Sequence, residues 1–489
     1  MAQNVKQEEF EHIEIHEKDQ AGNIVATYIS SGTRHSSKNK KKRVFDSDTL
    51  QNRIDVIVPK NTNSYAKSLL DAFLPAGYPH SVTKDYLEKD SLQAFSSSIA
   101  GLLSSRAVLE GIGVGDQHAS PTAALLLSVL QESMGRVATI LFAHRLGTAL
   151  EPECKMYRLA ADIFNDSAMV LDCLSPALPK VARVLFLSLS SVLRSLCGVA
   201  AGSSKASLSA HFATKGNLGE LNAKDSSQET VISLMGMLVG TVVVSHISSQ
   251  WATWIAMILL LGIHIGTNYM AVRAVSMRTL NRQRANILFS HYLSQFANVE
   301  KVTEQDLKSK VTILTPEQVS LRERIFERDG ILRWNGCKAL GYCQLGTSFQ
   351  ALLDLFDERD PSTGSYRKLS TSKVKRILAL YRSQGYILWY NRKRTTFLII
   401  LKDTSNIEDQ LRAWMHALYA SRYIRQEDDD ESLLETFSRT MGHMAQIFDS
   451  HGDNDNKKDF FRSLEESGWD VTTGAMETSP GTRVDLPKI

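Results

Sequence analysis

The sequence predicts a mainly α-helical protein: a polytopic membrane helical bundle with a smaller soluble α+β C-terminal domain. Three observations predict it. Thr230–Val272 runs 43 residues without an Asp, Glu, Lys or Arg, about twice what one transmembrane helix needs. Leu92–Val275 is apolar and rich in Gly, Ser and Ala, whereas both ends of the chain are charged. Beyond Arg273 the pattern turns to capped amphipathic helices and a β-branched, aromatic hairpin. Bulk figures blur this division: 489 residues, 22% charged, 43% hydrophobic, mean hydropathy −0.17, net charge +3 and a pI near 8.4. So small a basic surplus argues against a dedicated nucleic-acid binder.

Residues 1–63 are polar, with a Ser-rich patch and a basic cluster at Lys38, Lys40, Lys41, Lys42 and Arg43. Disorder is expected there. The cluster reads as a solvated charge run, with nuclear import or anionic-lipid contact as alternatives. Glu8, Glu9, Glu11, Glu14, Glu17 and Asp19 oppose a mitochondrial presequence and a secretory signal, so insertion is expected to rely on internal helices.

Residues 64–285 form the expected membrane core. Tyr65–Leu74 and Gly77–Leu87 are short amphipathic pieces split by Pro75 and Pro79. Leu92–Leu109 is an apolar helix carrying Arg106, closed by the turn Gly111–Asp116. A phosphate loop would need a strand ahead of those glycines, and a helical segment precedes them. Pro121–Leu150 is a long apolar helix with Pro in its first turn, and Glu132 and Arg136 can pair along it. Met156–Leu174 and Val181–Gly202 follow, the latter broken only by Arg183 and Arg194. If these helices span a membrane, Asp162, Asp166, Arg136 and Arg194 mark an interior polar path. Val231–His246 and Trp251–Val272 are two arms hinged at Ser248-Ser249-Gln250. Each arm carries a G-x-x-x-G, Gly236…Gly240 and Gly262…Gly266, which predicts close packing on each other or on a neighbour. The flank Arg273, Arg278, Arg282 and Arg284 predicts a cytosolic end.

Residues 286–424 form the expected soluble domain, entered through a polar helix over Asn281–Gln295. Thr315-Pro316-Glu317-Gln318 is a capping box opening a helix to about Arg328. Ser372–Ser383 is a basic amphipathic helix stopped by Gly385. Tyr386–Tyr390 and Thr395–Lys402 flank a basic turn, a hairpin signal. Ser405-x-x-Glu408 caps an amphipathic helix over Asp409–Tyr423, with Leu411, Trp414, Met415 and Leu418 on one face. Without a helix-turn-helix ahead of it, the hairpin gives no case for DNA binding. Residues 425–489 are acidic and polar, and disorder is expected.

Two constellations are candidate sites. The polar block Lys205–Glu229 lies between one apolar helix and the charge-free arms. Lys205, His211, Asn217, Glu220, Lys224, Asp225, Gln228 and Glu229 are its candidate ligand-binding or cavity residues. A plain loop accounts for such a block; so does irregular backbone lining a watery cavity, as in transporters. Asp162, Asn165, Asp166 and Asp172 share one face of a helix, suited to a cation or proton relay, or to ion pairs with Arg136, Arg158 or Arg183. His246 and His264 in the arms read as hydrogen-bonded packing residues. Cys154, Cys173, Cys197, Cys337 and Cys343 form no C-x-x-C pair, which excludes a zinc ribbon or disulfide framework. No nucleophile elbow, H-E-x-x-H or Walker loop appears. No metal, cofactor or catalytic residue is therefore expected.

Several motifs resemble those of the Root UVB Sensitive family: Leu74-Pro75-x-Gly77-Tyr78-Pro79-x-Ser81-Val82, Asp85-Tyr86-Leu87, Ser91-Leu92-Gln93-Ala94, Gly111-x-Gly113-Val114-Gly115, Arg158-Leu159-x-Ala161-Asp162-x-x-Asn165-Asp166, and Ala223-Lys224-Asp225-x-Ser227-Gln228-Glu229-Thr230. The match covers roughly Val56–Ala420. Two departures stand out: only Glu88-Lys89 separates Leu87 from Asp90, where the family has several more residues, and Gln131-Glu132-Ser133 stands where Lys/Gln-Asp-Gly is usual. The resemblance implies a non-enzymatic integral membrane protein with a soluble C-terminal domain, linked to vitamin B6 homeostasis and to pairing between family members. The expectation is a transporter or sensor of a small polar metabolite such as a vitamin B6 vitamer; a membrane-anchored scaffold recruiting a soluble enzyme or another family member is the alternative. The expected partners are the lipid bilayer, a homo- or hetero-oligomeric family member and a small polar metabolite, with no nucleic acid. The expected place is an intracellular organelle membrane, the endoplasmic reticulum favoured, with the C-terminal domain cytosolic.

Overall fold

The computed structural model describes residues 14–18, 24–31, 53–57, 84–112, 120–213, 218–296, 312–357, 365–366, 371–449, 452–453, 456–457 and 460–486. Asn217, the basic cluster Lys38–Arg43 and the glycines Gly113 and Gly115 lie outside them. The region expected to be disordered at the N-terminus holds three strands, β1 (Glu14–Lys18), β2 (Ile24–Ser31) and β3 (Arg53–Ile57), in an antiparallel sheet of order β1-β2-β3. The β-branched and aromatic residues Ile24, Val25, Thr27, Tyr28 and Ile29 are the signal for its central strand.

Among the described residues six α-helices follow: α1 (Lys84–Ile112), α2 (Pro121–Leu146), α3 (Cys154–Leu174), α4 (Lys180–Phe212), α5 (Leu218–His246) and α6 (Gln250–Ala274). Ser120 caps α2, with Pro121 in its first turn, and α2 runs unbroken through Gln131-Glu132-Ser133. Ser249 caps α6 at the expected hinge. The helices at Pro121–Ala149, Lys180–Phe212, Leu218–His246 and Gln250–Ala274 are long and apolar enough to cross a membrane. Their outer faces are apolar: Leu125, Leu126, Ile140, Leu185, Leu238, Ile255 and Ile258 are all more than half exposed.

Glycine contacts divide the two G-x-x-x-G arms. On α5, a Cβ at Gly236 would come within 2.9 Å of Phe95 O, and one at Gly240 within 3.3 Å of Ile99 Cα, so α5 packs directly on α1. On α6, a Cβ at Gly262 or Gly266 would meet nothing within 4 Å. This corrects the expected close approach at that pair: α6 turns its buried residues Met257, Leu261, His264 and Asn268 to the bundle instead.

The C-terminal domain is built from α7 (Arg282–Ser294), α8 (Pro316–Ser320), β4 (Ile331–Trp334), β5 (Lys338–Leu345), α9 (Phe349–Leu353), α10 (Thr371–Leu380), β6 (Tyr386–Asn391), β7 (Thr396–Lys402), α11 (Ile407–Ala420), α12 (Asp430–Asp449), α13 (Phe460–Glu466) and β8 (Arg483–Val484). β6 and β7 form the predicted antiparallel hairpin, Tyr386 facing Leu401 and Asn391 facing Thr396. The other edge of β7 is shared end to end by parallel β5 and β8, and β4 pairs with β5.

Three expectations for this domain need correction. The Thr315–Gln318 capping box forms, but its helix stops at Ser320 rather than near Arg328, because the chain turns to bury Glu323 against Lys155 and Arg284. The second box is one residue later than read, between Asn406 and Asp409. The helix it opens, α11, is buried on every face, with Ala413, Trp414, His416 and Ala417 all at 0% exposure. α11 is therefore the centre of the core and not a docking face, which removes the observation behind the scaffold alternative. Lastly, the stretch expected to be a disordered tail holds two described helical segments in its 430–449 and 460–466 residues, and Leu433, Phe437, Phe460, Phe461, Leu464 and Trp469 lie in the same core as α7 and α11. The sheet-containing C-terminal region thus shares one core from α7, at Arg282, to the helices before β8.

Candidate functional site

The described residues of the polar block are helical up to Phe212 and again from Leu218. Lys205–Phe212 is the last stretch of α4 and Leu218–Glu229 the first stretch of α5. On α5, Lys224 pairs with Glu220 at 3.0 Å one helical turn away; Asp225 and Gln228 are half-buried, Glu220 and Glu229 exposed. On α4, Lys205 is half-buried, and His211 lines a cavity of about 460 Å³ with Ser207, Arg278, Glu465, Trp469 and Asp470. Arg278 Nη2 donates to the His211 carbonyl at 3.0 Å.

The acidic face of α3 lies instead at the heart of the bundle. Asp162, Asp166 and Asp172 are at most 5% exposed, and Asn165 is half-buried. Residues three to four apart share a helix face, and here that face meets α1 and α6. Gln93 Nε2 donates to Asp162 Oδ2 at 2.5 Å and Asn268 Nδ2 donates to the same oxygen at 2.6 Å. Arg158 Nη1 stands 3.8 Å from Asp162 Oδ1, and its Nη2 donates to Asp90 Oδ1 at 3.0 Å and Gln93 Oε1 at 3.1 Å. His264 bridges the two carboxylates: Nδ1 is 2.7 Å from Asp166 Oδ1 and Nε2 is 3.4 Å from Asp162 Oδ2. A proton must sit between Nδ1 and Asp166, because two bare lone pairs at that distance repel. Asp166 Oδ2 is buried with no hydrogen-bond partner among the described residues, an acceptor held in reserve inside the bundle.

A second polar group lies further along α3. Ser104 Oγ donates to Asp172 Oδ2 at 2.8 Å, Arg194 Nη2 donates to Ser104 Oγ at 3.1 Å, and Arg194 also pairs with Asp172. Asp166 and Asp172 are six residues apart, about 9 Å along the helix. Ala100, Leu103, Met169, Met257 and Leu261 fill the space between the two groups as a closed apolar layer. Of the expected polar path, Arg136 is absent: it pairs with Glu132 at 3.3 Å on the exposed side of α2. Arg183 instead donates to the carbonyls of Ser175, Pro176 and Leu178 at the turn between α3 and α4. Sequence reasoning had the carboxylates but not their partners Gln93, His264 and Asn268. Their signal was there: His264 and Asn268 repeat on α6 the four-residue spacing of Asp162 and Asp166.

The domain-side end of the bundle is clamped by charge. Lys155 at the start of α3 pairs with Glu323, and Arg284 Nε stands 3.5 Å from the same carboxylate, all three at most 9% exposed. Arg273 at the end of α6 donates to the carbonyls of Leu321 and Glu323 at 3.2 and 3.1 Å. Among the described residues no group of three or more His, Cys, Asp or Glu is arranged to hold a metal ion.

Comparison with known proteins gives the chain its relatives. A family model described as "Vitamin B6 photo-protection and homoeostasis domain" matches residues 59–295, and one described as "Root UVB sensitive protein, C-terminal" matches residues 368–479. RUS family member 1 of Dictyostelium discoideum is 36% identical over 296 residues, 58% of this chain and 55% of that protein, so the chain matches about half that relative's length. Protein root UVB sensitive 3 of Arabidopsis thaliana is 34% identical over 387 residues, 77% of this chain and 81% of that protein. Protein root UVB sensitive 2, chloroplastic, also of Arabidopsis thaliana, is 23% identical over 82% of each chain. No solved structure matches the chain. With both halves of the chain matched and a relative above 30% identity along most of its length, the protein belongs to the Root UVB sensitive family.

Proposed function

We propose that this is a non-enzymatic integral membrane protein that moves or senses a small polar metabolite, of which a vitamin B6 vitamer is the first candidate. The single observation that carries the reading is the inverted distribution of polarity in the helices. Apolar side chains face outward on α2, α4, α5 and α6, and carboxylates, an imidazole and an amide face inward between α1, α3 and α6. In water such an outer surface favours aggregation. In a bilayer it is the matched surface, and ionisable groups turned to the interior are the usual mark of a substrate or proton route. The paired polar groups on either side of the Leu103–Met169–Met257 layer are the two ends of that route. The metabolite class rests on the description of the matched family model. The basic flank Arg273–Arg284 is what supports a cytosolic side for the C-terminal domain.

The test is uptake and binding of pyridoxine by the full chain reconstituted in liposomes, with and without a proton gradient. Wild type should accumulate or retain the vitamer, and Asp166→Asn should lose at least tenfold while the surface change Ser227→Ala leaves it unaltered. If wild-type proteoliposomes neither take up nor bind pyridoxine, the reading fails. Orientation is tested separately in a background lacking the native cysteines. Arg273→Cys should label from the cytosolic side and Ser249→Cys only from the other.

A further inference from the structure

Where the turn between α2 and α3 meets the C-terminal domain, the protein encloses a cavity of about 140 Å³. Buried cavities of about 150 Å³ are large enough to take one benzene ring. Its walls are of two kinds. Leu146, Ala149, Met156 and Ile331 give an apolar face, with Tyr157 beside them. The polar side has almost no capacity to spare. Arg282 donates to Asp329 Oδ1 at 2.6 Å and to the Met476 carbonyl at 2.7 Å. Thr478 donates to Asp329 Oδ2 at 3.0 Å. Asn286 donates to the Ile331 carbonyl at 2.7 Å and accepts from Trp414 Nε1 at 2.9 Å. Glu327 is held by both arms of Arg333. Glu153 is the exception: its carboxyl accepts one hydrogen bond, from Asn281 Nδ2 at 3.1 Å, and nothing else among the described residues bonds to it.

We propose that this cavity binds a single-ring nitrogen heterocycle, with the ring nitrogen on the Glu153 carboxyl and the ring face against Met156 and Ile331. Size selects one six-membered ring, and the lone free carboxyl selects a basic or protonated ring atom over a carbocycle. Arg328 and Asp329 are exposed at the rim, where a ring substituent leaves the cavity. The ionisation of Glu153 fits the role. Burial pushes its carboxyl up to about 7, against the opposing pull of Arg284 and Arg282 from the start of α7 and with Glu323 and Asp329 adding to the rise. A carboxyl that gains its proton near neutrality can share it with a pyridine-type nitrogen. The inference deepens the metabolite-handling reading by giving the metabolite a binding site away from the bundle interior, and rests on that reading only for the range of probes worth trying.

The experiment uses the full chain in nanodiscs, with empty nanodiscs as blank, and two probes of one shape: 3-hydroxypyridine and phenol. Saturation-transfer NMR and calorimetry should give 3-hydroxypyridine at least tenfold tighter binding than phenol. Glu153→Met, which keeps approximate size and removes the proton donor, should abolish that preference. Ala149→Phe, which fills the cavity, should abolish binding of both probes. For wild type, the affinity for 3-hydroxypyridine should fall tenfold per pH unit above about pH 7, where the free carboxyl has lost its proton; Glu153→Met should show no such limb. Absence of 3-hydroxypyridine binding, equal binding of the two probes, or an unchanged preference in Glu153→Met each overturns the proposal. These outcomes are distinguishable from failure of the transport reading, because Asp166→Asn leaves this cavity intact and should leave probe binding unchanged.

Discussion

His416 sits at the centre of α11 between Tyr386 Oη at 3.1 Å and Thr440 Oγ1 at 2.9 Å, fully buried. Burial pushes its pKa down to about 3, far below the ordinary value of about 6.5. The folded protein therefore holds a neutral imidazole that the unfolded chain protonates below about pH 6.5. Stability from this residue is full above that pH and falls as the pH drops towards 3, at about 1.4 kcal/mol per unit. Denaturant titrations of the full chain in detergent at pH 7, 6, 5 and 4 should show this slope, and His416→Gln should flatten it. A second residue-level prediction concerns Glu323, which faces Lys155 and Arg284 in a place almost closed to water. Removing it strands two buried cations, a loss of about 3–5 kcal/mol. Glu323→Ala should be strongly destabilised, and Lys155→Met together with Glu323→Ala should lose less than the sum of the two single changes. Equal additivity would mean the three charges do not act as a unit.

At the scale of elements, the contact between α5 and α1 is the most sharply testable. Gly240→Leu must displace Leu102 or Ile99, an overpacking cost of about 1–3 kcal/mol. Gly266→Leu projects into open space and should change stability by less than about 0.5 kcal/mol. Thermal unfolding in detergent separates them, and a similar loss for both would place a further partner on α6. The hairpin arms, their hinge and the β6–β7 hairpin were legible because each rests on local signals: a charge-free run, a capping serine, and alternating strands around a basic turn. The final helices were not. Glu427–Glu431 and the polar segments near Asp453 dominate the local composition and suggest disorder. Yet Leu433, Phe437, Thr440, Met444 and Ile447 recur every three or four residues, and all are buried. Periodicity carried the information that composition hid. A chain ending after Ile424 should accordingly lose the C-terminal fold altogether, since Phe437, Phe460 and Leu464 close its core; a retained cooperative transition in that truncation would refute this.

For the whole molecule, a single sequence showed which residues were polar on apolar helices but not which helices would meet. Asp162 and Asp166 stood out, whereas Gln93 lies 69 positions from its partner Asp162, and His264 lies 98 from Asp166. Pairings of that range come from tertiary packing, which no local window contains. The polar block shows the converse: a dense cluster of charges along the chain lies, in its described residues, at the ends of two helices. If the two bundle polar groups form one route, then Asp172→Asn, which removes the charge paired with Arg194, should impair pyridoxine uptake as Asp166→Asn does. Unimpaired uptake in Asp172→Asn would confine the route to the Asp162–His264–Asp166 group.

Helix α7 follows only a few residues after α6, yet it is buried on nearly all sides by segments made much later. Phe289 and Tyr292 rest on Phe460, at ring distances of 6.4 and 4.8 Å. At ribosomal speeds of about 5–20 residues per second, α7 is extruded roughly 8–35 seconds before Phe460 exists. During that interval an apolar helix waits without its partners beside the newly placed α6. The cell must shield it, so the expression of this protein should depend on chaperones that hold nascent chains, and slow codons ahead of residue 460 should lower its yield.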